Sequence, residues 1–189
     1  MQKESFSIIP LPKEQWKGHI LPIGYTTKNY YDISVNRTAD GFCMQMKQKE
    51  FGEPVTHTPE EYDFPDRLYA DYYENANAWG IVEKGELVAA IEAVPESWSN
   101  RLQVTELWVH SQYQRRGIGH ALMELVKEHA KKEGRRAVIL ETQSCNVNAI
   151  GFYLHEGFSL IGFDSCCYRN NDLERKEVRI DMGWFPDFL

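Results

Sequence analysis

Apolar positions change their spacing at one place in this chain, and the other elements are arranged about that change. From Leu102 to Val109 (LQVTELWV), Val104, Thr105, Leu107 and Val109, with Trp108 between, suit a strand, because β-branched and aromatic side chains fill a pleated, buried surface. From Ile118 the period turns helical: Ile118, Ala121, Leu122, Leu125 and Val126 fall on one face. Upstream, AWGIVEK from Ala78 and then GELVAAIEAV read as two strands joined at Gly85, and PESWSNRLQ leads into the central strand. Downstream, Gly134 closes the helix and RRAVILETQ is the next strand. Residues 146–156 (NVNAIGFYLHE) form a short helix stopped by Gly157, and FSLIGFDSCCY and KEVRIDMGWF are two last strands paired about the polar turn RNNDLER. The order β–β–β–α–β–α–β–β predicts a mixed α/β sandwich.

The first part of the chain is less regular. Phe6 to Pro10 predicts a short strand, and YYDISVNRT (30–38) and GFCMQM (41–46) predict a hairpin turning at Ala39-Asp40-Gly41. Proline and glycine in GEPVTHTPEEYDFPDR predict a loop, with a helix from about Arg67. Glu60, Glu61, Asp63, Asp66, Asp71 and Glu74 stand there against Arg67 alone, among Tyr62, Phe64, Tyr69, Tyr72 and Tyr73. A solvated segment whose aromatics serve the core is one reading. A pocket for a polyamine-like cation, held by charge and ring faces, is the other.

With 189 residues and 42% hydrophobic content, the chain can bury one core, and a single domain over 1–189 is expected. A net charge of −7 argues against nucleic acid and is compatible with a cationic substrate. No long apolar core marks a signal peptide at the N-terminus, and no run is long enough to span a bilayer, so no membrane partner is expected. Cys43, Cys145, Cys166 and Cys167 lack metal-ligand spacing, and the adjacent pair on an expected strand would face opposite sides. Reduced thiols in a cytoplasmic protein without a metal follow as the expectation.

Between strand and helix lies Gln114-Arg115-Arg116-Gly117-Ile118-Gly119. Glycines admit close approach of the backbone, and the N–H groups of a first helical turn carry the positive end of the dipole. Two arginines beside those amides suit a pyrophosphate. The loop is neither a Walker loop nor the Rossmann pattern. Its spacing, Gln-x-x-Gly-x-Gly after a strand, resembles the acetyl-CoA signature of the GNAT superfamily of N-acetyltransferases. A second stretch agrees: Asn146, Ala149 and Tyr153, with Gly157-Phe158 following, is similar to that family's N-x-x-A-x-x-x-Y pattern. Asn146 stands where a helix cap would, and Ala149 and Tyr153 share a face one turn apart. SWSN, LETQ (140–143) and CYRNNDLERKEVRIDMGW resemble the streptothricin acetyltransferase branch, which acetylates a β-lysyl amine of a cationic antibiotic.

The resemblance implies a GNAT fold: a mostly antiparallel sheet of about seven strands flanked by helices and splayed between the fourth and fifth core strands. It implies acetyl-CoA as co-substrate, its pantetheine on Leu107, Trp108 and Val109, its pyrophosphate across Arg115 to Gly119, and further contacts from Gln114, Asn146 and Ala149. Tyr153 would protonate the departing thiolate, and a backbone N–H near Leu107 would polarise the thioester carbonyl. Glu106 is the first candidate base, with a strand carboxylate paired to a neighbour as its alternative. Glu141 is a second base or an anchor for the substrate ammonium, and Trp98 walls the acceptor pocket or simply packs. No Ser or Cys nucleophile with a His partner is evident, so direct attack in a ternary complex is expected. Cys145 is read as a structural thiol, and His110 and His120 as solvated or capping residues. A protein N-terminal or lysine acetyltransferase and a non-catalytic acyl-CoA-binding module are the alternatives. A homodimer is compatible with the sequence.

Overall fold

The computed structural model describes residues 6–61 and 65–186. In chain order its elements are β1 (Ile9–Pro10), α1 (Lys13–Trp16), β2 (Tyr25–Arg37), β3 (Phe42–His57), β4 (Asn77–Glu83), β5 (Glu86–Glu96), β6 (Arg101–Val109), α2 (Ile118–Lys132), β7 (Ala137–Gln143), α3 (Val147–His155), β8 (Ser159–Asp164), α4 (Asp172–Arg175) and β9 (Arg179–Trp184). A seven-stranded sheet runs β1-β4-β5-β6-β7-β9-β8, and β2 with β3 form a separate two-stranded ribbon. The sheet is mixed and mostly antiparallel, with β6 and β7 running parallel. By contact the chain divides into two compact units: Met1–Ile23, Pro59–Leu140 and Trp184–Leu189 in one, Gly24–Thr58 and Glu141–Gly183 in the other.

In the first unit β5 is buried from Leu87 to Val94, apolar but for Glu92, as befits a strand covered on both faces. It is joined to β4 by Lys84 and Gly85, both at positive φ, the geometry of a tight hairpin turn whose twist matches the strands. Gly80 of β4 lies so close to β5 and to the N-terminal segment that a Cβ there would strike the Ala89 carbonyl oxygen and Leu11 Cδ1. One face of the sheet is roofed by the N-terminal segment and residues 68–70. Leu11, Leu21, Leu68, Tyr69, Ala78, Leu87 and Ala90 form a buried cluster there, with Trp16 and Trp108 against it. Helix α2 packs on β5 and β6. Its buried face is Ile118, Leu122, Met123, Val126, Lys127 and Ala130. The face is turned from the expected one: Ala121 is exposed and Leu125 half-buried. Lys127 belongs to it because the aliphatic stem is covered while Nζ reaches Glu124 at 2.7 Å and lies over the Trp184 ring.

In the second unit the ribbon turns where expected, at residues 38–41, but both strands are longer than the sequence pattern predicts. Gly52 and Pro54 do not end β3. The register shifts between Thr27 and Asn29, so the proline falls in an irregularity where no ladder bond is demanded of it. Ile150, Phe158, Val178, Ile180 and Met182 are buried in this unit.

Three further expectations are corrected. No helix begins at Arg67: Tyr69 and Asn75 adopt left-handed φ values of 56° and 58°, and 67–76 is a chain of turns. The polar turn RNNDLER contains the short helix α4, whose preceding backbone N–H groups, those of Tyr168 and Arg169, donate to the Asp172 carboxylate. Cys166 and Cys167 lie in the turn after β8, not on it. Tyr62, Asp63 and Phe64 of the acidic stretch lie outside the described residues.

Candidate functional site

The parallel ladder between β6 and β7 runs from Arg101 opposite Ala137 to Val104 opposite Leu140, while β6 continues to Val109. On its other side β6 stays paired with β5 to the end, Leu107 opposite Ile91 and Val109 opposite Ala89, and the His110 N–H donates to the Val88 carbonyl at 2.9 Å. In an antiparallel pair alternate residues bond to the partner. His110, Trp108 and Glu106 therefore point their backbone groups at β5, and Leu107 and Val109 point theirs to the opposite edge, past the end of the ladder. This is the splay the sequence resemblance implies. Gln114 takes part in that edge through its side chain, donating from Nε2 to the Val109 carbonyl at 3.1 Å.

Beyond Val109 the His110 ring accepts the Gln112 N–H, and a single 3₁₀ turn leads into the glycine loop. Arg115 (φ 60°) and Gly117 (φ 82°) are both left-handed. Nothing lies within 4 Å of a Cβ at Gly117, so the requirement there is the backbone conformation rather than space. Gly117 caps α2 without a side-chain hydrogen bond, and the first helical bond runs from the Ala121 N–H to the Gly117 carbonyl. The amides of Ile118, Gly119 and His120 thus open the helix with no intrahelical acceptor. Arg115 and Arg116 are exposed beside them, the Arg116 guanidinium 5.2 Å from the centre of the Tyr113 ring.

Glu106 is half-buried on β6, directly opposite Glu92 of β5. Tyr72 is 77% exposed. Partial desolvation raises its phenol above the ordinary range, and the charges of Glu106, Asp66 and Glu92 add to that rise against Arg67. Desolvation likewise raises the Asp66 carboxyl. Of the acidic stretch, Tyr69 lies in the core, while the exposed Tyr72 feels the charges of Glu106 and Asp66. Trp98 stands apart from them. It is 84% exposed at the β5–β6 turn, stacked by Arg101. Six residues of extended strand, about 20 Å at roughly 3.3 Å per residue, separate Arg101 from Leu107.

In the second unit Asn146 caps α3, its Oδ1 accepting the Ala149 N–H at 3.2 Å. Tyr153 is half-buried between Phe152 and Phe158, with ring centres 5.5 and 6.0 Å away. Glu141 is bound within its own unit: Arg179 meets it at 2.6 Å and the Tyr168 hydroxyl lies at 3.5 Å. Burial raises its carboxyl even so, against the nearby Arg179.

A buried polar chain missed by the sequence reading lies beside Asn146. The Tyr25 hydroxyl meets Gln143 Oε1 at 2.7 Å and Cys145 Sγ at 3.2 Å; Cys145 Sγ meets His57 Nε2 at 3.7 Å; His57 Nδ1 meets Glu177 Oε1 at 3.3 Å. The order thiol, imidazole, carboxylate is that of a nucleophilic triad. Its environment is not, because Cys145 is fully buried and its thiol is pushed up to about 11, burial being the largest cause. A sequence separation of 88 between His57 and Cys145 hid the pair from any spacing argument. A thiol reagent should label the exposed Cys43, Cys166 and Cys167 in the folded protein and reach Cys145 only on unfolding. Mass spectrometry of labelled peptides checks this, and native labelling of Cys145 at the rate of Cys43 would refute it.

Residues 42–158 match the Acetyltransferase (GNAT) family. Streptothricin acetyltransferase of Escherichia coli is 29% identical over 115 residues, 61% of this chain and 66% of that protein. N-acetyltransferase 8B of Rattus norvegicus is 32% identical over 135 residues, 68% of this chain and 59% of that protein. The chain thus spans somewhat less than two thirds of the length of these relatives. Among solved structures, nourseothricin acetyltransferase superposes with a TM-score of 0.72 at 22% identity, covering 95% of this chain and 98% of that one. A putative streptothricin acetyltransferase from Bacillus anthracis str. Ames, in complex with acetyl coenzyme A, gives 0.72 at 19% identity over 96% and 100%.

Proposed function

This chain belongs to the GNAT acetyltransferase family, and on that premise we propose that it moves the acetyl group of acetyl-CoA to a primary amine of a small cationic molecule of the streptothricin type. The observation that carries this is the edge of β6, where Leu107 and Val109 turn their backbone groups away from β5 beyond the end of the β7 ladder. A pantetheine chain has amide donors and acceptors that suit such an edge. The amides of Ile118 and Gly119, with Arg115 and Arg116, suit the pyrophosphate. Asn146 keeps its side-chain NH₂ available for a donor role while its oxygen caps α3.

The Leu107 N–H would hold the thioester oxygen as charge develops on it. Glu106 would take the proton of the attacking ammonium, directly or through water, and Tyr153 would give its phenolic proton to the departing thiolate. Asp66 and Tyr72 would attract the cationic acceptor. Glu141, ion-paired with Arg179, serves better as a wall of the second unit than as a base. Similarity to the streptothricin and nourseothricin enzymes supports the acceptor class. Among the described residues no helix is long and apolar enough to cross a membrane.

The test is calorimetry with acetyl-CoA followed by thiol release across streptothricin-type β-lysyl amines, polyamines, and N-terminal and lysine peptides. Release with the small cations and not the peptides is expected. Release with peptides alone would make the chain a protein acetyltransferase, and binding without release would make it an acyl-CoA-binding module. Gly117→Ala should weaken acetyl-CoA about tenfold, because a side chain at left-handed φ costs roughly 1–2 kcal/mol, so the free loop relaxes away from the conformation that the pyrophosphate needs. An unchanged Kd would remove the glycine loop from the binding site.

A further inference from the structure

Glu92 is the one fully buried carboxylate of β5, and the proposed mechanism leaves it without a task. Its Oε2 accepts the Tyr69 N–H at 2.5 Å and its Oε1 accepts the Thr105 hydroxyl at 2.9 Å. Both partners sit where the backbone is irregular. Tyr69 is at a left-handed φ, and its own hydroxyl donates to the Leu11 carbonyl and accepts the Ala78 N–H. Thr105 is the extra residue of a β-bulge: Ala93 faces Val104 and Glu92 faces Glu106, so Thr105 has no opposite number.

That bulge decides where the proposed catalytic groups point. A strand alternates its faces, so an unbroken β6 would put Glu106 on the side of Leu102 and Val104, both buried. One inserted residue resets the alternation. Leu107 then follows Val104, and Glu106 and Trp108 stand on the face of Glu92 and Ala90, beside Tyr69. The same reset fixes which residues turn their backbone groups to the open edge.

The geometry points to Glu92 as the positioning residue of the acetyl transfer: by holding the Thr105 hydroxyl it keeps the bulge in place, and so aims the Glu106 carboxylate and the Leu107 N–H. This assignment rests on the acetyltransferase reading for its consequence in turnover, while the clamp itself stands on the hydrogen bonds. No partner with a formal positive charge is hydrogen-bonded to Glu92 among the described residues, and burial raises its carboxyl. What the position demands is therefore two hydrogen bonds of the right shape rather than a charge.

Glu92→Gln satisfies that demand, with its carbonyl oxygen accepting from Tyr69 and its NH₂ donating to Thr105 Oγ1. Its kcat should stay within about threefold of wild type with an unaltered pH profile. Thr105→Val keeps the shape and removes the hydroxyl. It should lower kcat about tenfold or more, by misplacement of reacting groups, and be rescued by Thr105→Ser. Amide hydrogen exchange across residues 104–107 gives a readout free of activity: faster in Thr105→Val, unchanged in Glu92→Gln. Wild-type exchange and kcat in Thr105→Val would overturn the assignment. So would a Glu92→Gln protein of normal exchange that had lost turnover and the acid limb of its pH profile, because Glu92 would then be the base itself. A wild type that binds no acetyl-CoA would instead defeat the acetyltransferase reading, and exchange would still decide the clamp.

Discussion

Tyr153→Phe should cut kcat by a hundredfold or more, within what one positioned acid supplies (roughly 10²–10⁴), while the acetyl-CoA Kd moves by less than about threefold. The ring is held by Phe152 and Phe158, and phenylalanine keeps those contacts, so the fold and the helix that carries it should be unaffected. What is lost is the proton for the departing thiolate. Donors with better leaving groups than coenzyme A should therefore restore much of the rate in the variant and little in the wild type. Stopped-flow measurement of thiol release with a series of thioesters checks this. An unaltered kcat would return Tyr153 to a packing role.

Glu106→Gln is the second large effect. The amide is isosteric and can no longer accept the ammonium proton, so kcat should fall about a hundredfold near neutral pH. The variant should recover as pH rises, because the amine then loses its proton to bulk water and needs no protein base. A pH series of kcat for both proteins is the measurement. A variant with wild-type kcat and profile would make Glu106 an ordinary strand carboxylate facing Glu92.

Two kinds of feature were legible in the sequence. Local ones, such as the glycine opening of α2 and the Asn146 cap, are properties of a few adjacent residues, and the structure places both as expected. Strand order from β4 to β9 followed from periodicity and turn residues. Features that depend on distant partners were not legible. Alternation along β6 cannot show that Thr105 is looped out, because only the register against β5 does. Acids and tyrosines from Arg67 onward resemble a solvated helix, yet Tyr69 and Asn75 turn left-handed, Tyr69 donating to Leu11 and Glu92 and accepting from Ala78 in bonds that no local pattern predicts. Pro54 argues against a strand in isolation and is harmless where the ribbon slips register. Met123 displaces Ala121 from the covered face of α2 because the phase of that helix is set by β5 and β6.

The roof formed by Leu11 and Leu21 has a practical consequence for recombinant work. An expression fragment trimmed to residues 42–158, the span that matches the family, would keep the nucleotide loop and the tyrosine helix. It would also discard the two leucines under which Tyr69 lies, the carbonyl that receives its hydroxyl, and the whole of β9. Such a fragment should come out of the cell as inclusion bodies, whereas one that starts ahead of Ile9 and runs through Trp184 keeps those contacts.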